Sequence, residues 1–348
     1  MTPKKNSLAV KANKFTRYLP LYLMMLPALF YLLINNYMPM AGIVLAFKKY
    51  TVQGGIWGSE WNGLKNFAFL ARSKDVPIII RNTLGYNICF ILTNVILGVT
   101  LAIFITEIGN KKLQKYAQSS ILFPFVVSII IVSYMVRAFL DPQAGLVNSL
   151  LESFGLQKIS WYDTSKPWPG ILIFVNAWKG VGYSCILYIS TILGIDPSLY
   201  EVARLSGASK AQQIRYITLP FLKPTVITMV LLNVGRIFTS DFGLFYQVPQ
   251  NSGLIMDATQ TVDTFVYRAL MTQNNIGLSS AASFLQSVIG FAMILLFHGI
   301  ARKVSRENAD CDKNRLTQGQ HDPSENLELR SAVNLADSYS SEGTLDCR

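Results

Sequence analysis

Long apolar runs are the feature that most constrains the fold of this chain. A helix needs about 20 mostly apolar residues to cross about 30 Å of hydrocarbon. Six windows of the 348-residue sequence approach or exceed that length, and only 15% of all residues are charged, against about 25% in soluble domains. We therefore predict an all-α integral membrane protein with six transmembrane helices, in windows 18–47, 78–106, 119–140, 170–194, 217–240 and 281–300.

The charged residues between these windows predict the orientation in the membrane. Lys and Arg accumulate in short cytoplasmic loops. Residues 1–17 contain five basic residues and no acidic one, and basic residues also follow the second window (Lys111, Lys112) and the sixth (Arg302). This pattern predicts that both termini are cytoplasmic. Loop 48–81 is an exception, because the six-span count makes it external although it holds six basic and two acidic residues.

The ends of the chain differ in character from its body. The basic start followed by an apolar run also resembles a signal peptide, but the run exceeds a usual h-region and lacks an A-x-A site. We expect residues 1–17 to form a basic cytoplasmic N-terminus, residues 18–304 a six-span domain, and residues 305–348 a polar, disordered cytoplasmic tail. The net charge of +11 comes without a nucleic-acid motif, so no nucleic-acid partner is expected.

A polar stretch at residues 196–220 separates the fourth and fifth windows. Asp196-Pro197 is typical of a helix start, and Gly207 suits a helix end that needs positive φ. Ser209 and Gln212 have the spacing of a capping box. The stretch therefore predicts a helical hairpin on the cytoplasmic face. From these residues alone, an amphipathic helix resting on lipid is an equally good interpretation.

The hairpin resembles the signature E-A-A-x3-G-x9-I-x-L-P of binding-protein-dependent ABC importer permeases. Val202 departs from it at the first Ala. "RNTLGYN" (81–87), "SLYEVARLSGAS" and the N-terminal "LPALFYLLINNYMPMAGIVLAFKKY" are similar to the polysaccharide and oligosaccharide branch of the maltose-type carbohydrate permeases, and the resemblance covers most of residues 15–304. The positions that it assigns to ATPase coupling are Glu201, Val202, Ala203, Gly207, Ala208, Ile217, Leu219 and Pro220.

The resemblance implies the fold, the location and the partners. It implies a type I importer permease fold with a cytoplasmic coupling helix, in a bacterial plasma membrane. It also implies a heterodimer with a second permease, two cytoplasmic ATPase subunits and an external solute-binding protein that delivers saccharides. The sequence lacks the phosphate-binding motif G-x-x-x-x-G-K-[ST] and any spacing typical of a metal site, disulfide framework or catalytic centre. We expect a transport subunit without enzymatic activity, cofactor or metal.

Polar residues inside the windows are candidates for a substrate path. Lys179 lies near the middle of the fourth window, where a cation is costly unless it faces protein or water. Asn residues also bond neighbouring helices, and Arg236 can snorkel to the surface. If both cations face the path, an anionic saccharide becomes a plausible substrate. The candidates are Asn87, Asn94, Asn176, Trp178, Lys179, Tyr183, Tyr188, Asn233 and Arg236.

Two further interpretations stay open. The hairpin signature is shared by importers of other solutes, so the chain could serve a different cargo. A channel or a membrane-embedded enzyme would work without an ATPase, but it offers no reason for the hairpin.

Overall fold

The described part of the chain is built almost wholly of helices. The computed structural model describes residues 7–318. Within the described part, residues up to 294 belong to one compact unit and those from 295 onward to another. The helices are α1 (Ser7–Leu32), α2 (Gly55–Gly58), α3 (Lys65–Arg72), α4 (Asp75–Thr106), α5 (Lys111–Val126), α6 (Ile129–Leu140), α7 (Leu146–Ser153), α8 (Trp168–Leu193), α9 (Pro197–Leu205), α10 (Lys210–Gln213), α11 (Leu219–Val234), α12 (Phe242–Gln247), α13 (Met256–Thr259), α14 (Val262–Met271) and α15 (Ile276–Gln318).

Shorter elements complete the description. Strands β1 (Lys48–Lys49) and β2 (Glu60–Trp61) pair antiparallel. π-helical turns lie at Leu33–Tyr37 and Ile214–Thr218, and 3-10 helices at Met38–Phe47 and Gly253–Ile255.

The long apolar helices confirm a protein of several membrane spans. Five stretches are long and apolar enough to cross a membrane: Tyr18–Phe47, Asp75–Thr106, Trp168–Leu193, Lys210–Val234 and Ile276–Phe297. A sixth span is obtained when α5 and α6 are taken together. The predicted count of six therefore depends on that pair.

The third span is not the single helix that we predicted at residues 119–140. Helices α5 and α6 meet at a 92° bend, and the break lies at Val127 and Ser128. The Lys179 ammonium of α8 binds carbonyls that the break leaves without helical partners. It donates to the carbonyls of Pro124 and Phe125 at the end of α5 and to that of Val127, which a continuous helix would have bonded to later N–H groups.

The first span, by contrast, has no sharp bend. The chain keeps a helical path by changing from α to π and then to 3-10 hydrogen bonding. Pro39 has no N–H to donate, so one helical hydrogen bond is missing at this point. The side chains of residues 18–40 are all exposed.

Helices α4 and α8 form the most extensive helix pair. One hydrophobic cluster around Trp168, Leu172 and Phe245 lies at one end of this pair, and another around Ala102 and Leu222 lies at the other. Helix α5 packs so closely on α8 that a Cβ at Gly182 would collide with the carbonyl oxygen of Ile121.

The predicted terminal segments are partly helical. Helix α1 begins at Ser7, inside the expected N-terminal segment 1–17, and α15 continues to Gln318, past the expected start of the tail at residue 305. A helix that has nucleated gains one hydrogen bond with each added residue, so polar composition alone does not end it. Residues 1–6 and 319–348 lie outside the described part of the chain.

Candidate functional site

A polar cleft of about 360 Å³ lies between α4, α5, α8 and α11. Its walls combine amide, hydroxyl and aromatic side chains with one cation, Arg236, and one carboxylate, Asp241. We call it the central cleft. The lining residues are Asn87, Phe90, Ile91, Asn94, Val95, Phe125, Asn176, Gly180, Tyr183, Ser184, Tyr188, Met229, Asn233, Arg236, Thr239, Ser240 and Asp241.

The structure brings together seven of the nine predicted path residues. The seven that line the cleft are Asn87, Asn94, Asn176, Tyr183, Tyr188, Asn233 and Arg236. Trp178 and Lys179 do not line it. Trp178 is exposed on α8, and the Lys179 ammonium is held by the backbone at the α5–α6 bend. The Lys179 charge is thus bound by carbonyl oxygens beside the cleft, next to the ring of Phe125, and its assignment to the path stays a prediction.

The four Asn residues of the cleft use their amides differently. Asn87 donates to the carbonyls of Ile237 and Thr239, and Asn233 donates to its own helix at Met229. The Asn87 amide therefore joins α4 to the segment after α11, whereas the Asn233 amide stays within its own helix.

The other two Asn residues face each other across the cleft. Asn94 Nδ2 donates to Asn176 Oδ1 at 3.1 Å. The buried Oδ1 of Asn94 has no hydrogen-bond partner. A buried acceptor without a partner is unfavourable, so this pair is a weakly satisfied polar contact in the wall of the cleft.

Arg236 provides the positive charge of the cleft. Its guanidinium is exposed within this chain and makes no ion pair or side-chain hydrogen bond with the described residues. The nearby Asp241 carboxylate instead accepts the Leu244 N–H at the start of α12. Arg236 therefore remains free to bind a carboxylate, for which its planar guanidinium is well suited.

Sequence reasoning missed an aromatic pair at the cleft. The rings of Phe125 and Tyr183 stack with centroids 5.2 Å apart and an angle of 20° between planes, and both side chains are about half exposed. Tyr183 was predicted and Phe125 was not. The ring of Phe125 lies at the cleft because α5 ends there, at a bend that no sequence pattern indicated.

The "RNTLGYN" motif attaches α4 to the chain segment that follows α11. Asn82 donates to the carbonyls of Asp257 and Gln260, and the Tyr86 hydroxyl donates to that of Ala258. Thr83 accepts the N–H of Val262. The motif thus holds one wall of the central cleft in place from the end of the bundle that we predict to be external.

The predicted hairpin is present, with its predicted caps. Asp196 accepts the Ser198 N–H at the start of α9, and this hydrogen bond lowers the pKa of the Asp196 carboxyl. Gly207 has a φ of +79°, and Ala208 N donates back to Ala203 O. Ser209 and Gln212 form both hydrogen bonds of the capping box.

One face of α9 carries exposed apolar side chains. Val202 is 62% exposed and Leu205 is 90% exposed, and Leu199 lies one turn earlier on the same helix. Exposing these apolar side chains to water does not stabilise the helix, whereas burying them would. This face is therefore suited to contact with another protein.

Two side-chain contacts join the hairpin to the spans. Lys210 forms an ion pair with Glu107, the residue after α4, at 2.5 Å. The hydroxyls of Tyr200 and Thr218 are hydrogen bonded at 2.9 Å. Residues 210–234 form one continuous span, and the Gly207 turn joins α9 to it. Of the predicted coupling residues, Glu201, Val202, Gly207, Leu219 and Pro220 are exposed, and Ala203, Ala208 and Ile217 are half-buried.

The chain is similar to known permeases over most of its length. The Bacillus subtilis polygalacturonan/rhamnogalacturonan transport system permease protein YteP is 32% identical over 295 residues, covering 82% of this chain and 89% of that protein. Protein LplB of the same organism is 29% identical and covers 86% and 92%.

A solved structure has the same fold. A chain in the crystal structure of a bacterial ABC transporter involved in the import of the acidic polysaccharide alginate superposes with a TM-score of 0.76 and 28% identity, covering 84% of this chain and 98% of that one. A second crystal structure shows the alginate transporter with an alginate pentasaccharide-bound periplasmic protein. The profile of the family described as "Binding-protein-dependent transport system inner membrane component" matches residues 94–306. The chain is therefore a multi-pass membrane protein that belongs to the family of binding-protein-dependent transport system inner membrane components.

Proposed function

We propose that this chain is the permease subunit of an ATP-driven importer of oligosaccharides or polysaccharide fragments, and that acidic sugars are its preferred cargo. The observation that carries the preference for acidic sugars is the free guanidinium of Arg236 in the central cleft. A hydrogen bond between charged partners contributes about 1.5–3 kcal/mol, which is enough to discriminate a uronate from a neutral sugar.

The other groups of the cleft suit a sugar chain. The amide and hydroxyl side chains of its walls can form hydrogen bonds with sugar hydroxyls, and the exposed parts of the Phe125 and Tyr183 rings can contact the apolar face of a pyranose ring. YteP is named for a polygalacturonan and the alginate importer for an acidic polysaccharide, and these names support the same class of cargo.

The proposal includes three kinds of partner. Arg236 and Asn233 are exposed within the single chain, so a second permease is needed to enclose the cleft. Of two cytoplasmic ATPase subunits, one would take the apolar face of α9, with Leu205 and Val202 in a groove and Glu201 at its polar edge. An external solute-binding protein would deliver the saccharide, as the periplasmic protein does in the alginate system.

The selectivity of Arg236→Gln tests the proposal. The complete complex is reconstituted in proteoliposomes. Its rate of uptake of an oligogalacturonate is compared with its rate of uptake of the methyl-esterified, uncharged form. We expect Arg236→Gln to lower uptake of the acidic form about tenfold relative to the ester, because about 1.4 kcal/mol corresponds to a factor of ten. Arg236→Lys should retain part of the preference, since the charge remains but the planar fork is lost.

The matched control is Arg72→Gln, which removes an exposed Arg from the end of α3, away from the cleft. It should leave the ratio of the two uptake rates unchanged. An unchanged ratio in Arg236→Gln as well would contradict the assignment of acidic cargo.

A further inference from the structure

A second cleft, of about 370 Å³, lies at the predicted external end of the bundle. It is bounded by the first turns of α4, the turn before α8, and α13. Gly85 and Cys89 form part of its floor, and Arg81, Lys166 and Asp257 bring charges to it. We call it the lateral cleft.

The lateral cleft faces away from the central cleft. An α-helix turns 100° per residue, so Asn87, which lines the central cleft, points about 200° away from Gly85 on α4. Cys89 lies one turn after Gly85, on the same face. The two clefts are therefore on opposite sides of one span, and the lateral cleft does not belong to the proposed sugar path.

The charges at the lateral cleft leave one positive charge without a counter-charge. Arg81 donates through Nε and Nη2 to the neutral oxygens of Asn82 and the Asp257 backbone. Neither Arg81 nor Lys166 has a carboxylate within 4 Å in the part of the chain that the structure describes. Two cations and the single Asp257 carboxylate thus give a net charge of +1.

The depth of these residues matches a lipid headgroup. Lys166 lies two residues before α8, and Arg81 is six residues inside α4, about 9 Å along its axis. Below them, apolar groups such as Tyr86 and Ile173 line the cleft. Cations above an apolar groove suit an anionic lipid, because basic side chains bind its phosphate and apolar side chains cover an acyl chain.

We propose that the lateral cleft binds phosphatidylglycerol. Its phosphodiester carries one negative charge, which balances the net charge of the cleft, and would lie between Arg81 and Lys166. The hydroxyls of its headgroup can donate to Asp257. One acyl chain would follow Gly85, Cys89 and Ile173 along the surface of the bundle. A zwitterionic phospholipid would leave the cleft with its positive charge unbalanced.

Gly85 permits a test that leaves the packing intact. A Cβ at this position would meet no atom within 4 Å, so Gly85→Leu fills the cleft without displacing the neighbouring helices. Gly290 of α15 is a matched control, because it is also a helical glycine with open space around it. For the charge, Lys166→Gln is compared with Lys166→Arg and with Lys65→Gln, which removes an exposed cation outside the cleft.

The measurement is native mass spectrometry of the complete complex after reconstitution in equal amounts of phosphatidylglycerol and phosphatidylethanolamine. We expect phosphatidylglycerol to stay bound in the wild type and in Gly290→Leu, Lys166→Arg and Lys65→Gln. Its occupancy should fall about fivefold in Lys166→Gln, which corresponds to about 1 kcal/mol for one basic residue at a membrane surface, and further in Gly85→Leu.

A photoreactive phosphatidylglycerol, with the reactive group near the top of an acyl chain, identifies the site. Adducts at Cys89 and Ile173 would support the proposal. Equal retention of both lipids, undiminished phosphatidylglycerol in Gly85→Leu, or adducts confined to other regions would overturn it, as would crosslinking of Cys89 to a protein subunit. None of these readouts depends on transport, so failure here leaves the proposed function untouched.

Discussion

Two cations on neighbouring parts of the bundle have opposite surroundings. Lys179 is coordinated by three backbone carbonyls at the α5–α6 bend, whereas Arg236 reaches the central cleft with no partner from the described residues. A lysine ammonium is a compact donor that suits converging carbonyls, and a guanidinium suits carboxylates. The residue type at each site therefore agrees with a structural role for Lys179 and a ligand-binding role for Arg236.

Replacing Lys179 should destabilise the protein without changing its selectivity. Lys179→Met leaves the part-buried carbonyls of Pro124 and Val127 without the ammonium, which costs about 1–3 kcal/mol. We expect the midpoint of thermal unfolding of the purified complex to fall by about 5 °C, while the uptake ratio of acidic to esterified oligosaccharide stays at the wild-type value.

The control is Lys112→Met, at the exposed start of α5, which should leave the unfolding midpoint unchanged. If Lys179→Met instead kept full stability and lost its preference for the acidic sugar, Lys179 would belong to the path after all.

The contrast between these residues marks a limit of sequence reasoning. Asn87 and Asn94 are seven residues apart, and Asn176 and Gly180 are four apart, so helical periodicity places each pair on one face. The partners of Lys179 could not be predicted, because they come from a break in a helix more than fifty residues away. The spacing of residues along the sequence predicts which of them share a face of a helix. It does not predict which other part of the chain packs against that face.

At the scale of elements, the hairpin was predictable because its determinants are local. The N-cap, the Schellman-type end and the capping box each depend on side chains within a few residues. The same holds for the apolar helices, whose length alone indicates a membrane span. The bend in the third span depends on a contact with another helix, and the local sequence offered only Pro124, which lies inside α5.

The turn at Gly207 gives a direct test of the hairpin's geometry. A residue with a Cβ pays about 1–2 kcal/mol in the left-handed conformation, and 1 kcal/mol is about a fivefold change in an equilibrium. We expect Gly207→Ala to lower ATP-driven uptake about fivefold or more, while affinity for the loaded binding protein stays unchanged.

Gly109 provides the matched control. It lies in the loop after α4 and has ordinary backbone angles, and a Cβ added there, as at Gly207, would meet no atom within 4 Å. Gly109→Ala should transport normally. Equal uptake by both variants would show that the turn does not need its left-handed residue.

At the scale of the whole molecule, the chain displays surfaces that a single copy does not cover. The central cleft is open at Arg236 and Asn233, the first span is exposed from residue 18 to residue 40, and Leu205 projects from the hairpin. These surfaces agree with a subunit that functions in an assembly. The sequence indicated the partners only through its resemblance to a family, since no periodicity or composition identifies a missing subunit.

The path and the hairpin lie at different positions of the same bundle. Helix α11 carries Met229 and Asn233 to the central cleft and is continuous with the hairpin through residues 210–234. The Gly207 turn joins α9 to this span, so the chain connects α9 to the cleft through one turn and one helix. This connection and the family match together support the proposal that an ATPase drives the transport.

The central claim is that solute moves through this subunit only when an ATPase acts on the hairpin. The most direct measurement is accumulation of a labelled oligogalacturonate in proteoliposomes that contain the complex and its binding protein, with and without ATP on the ATPase side. We predict accumulation against a gradient with ATP and none without it. Equal uptake in the absence of ATP, or from a preparation without the ATPase subunits, would contradict the account.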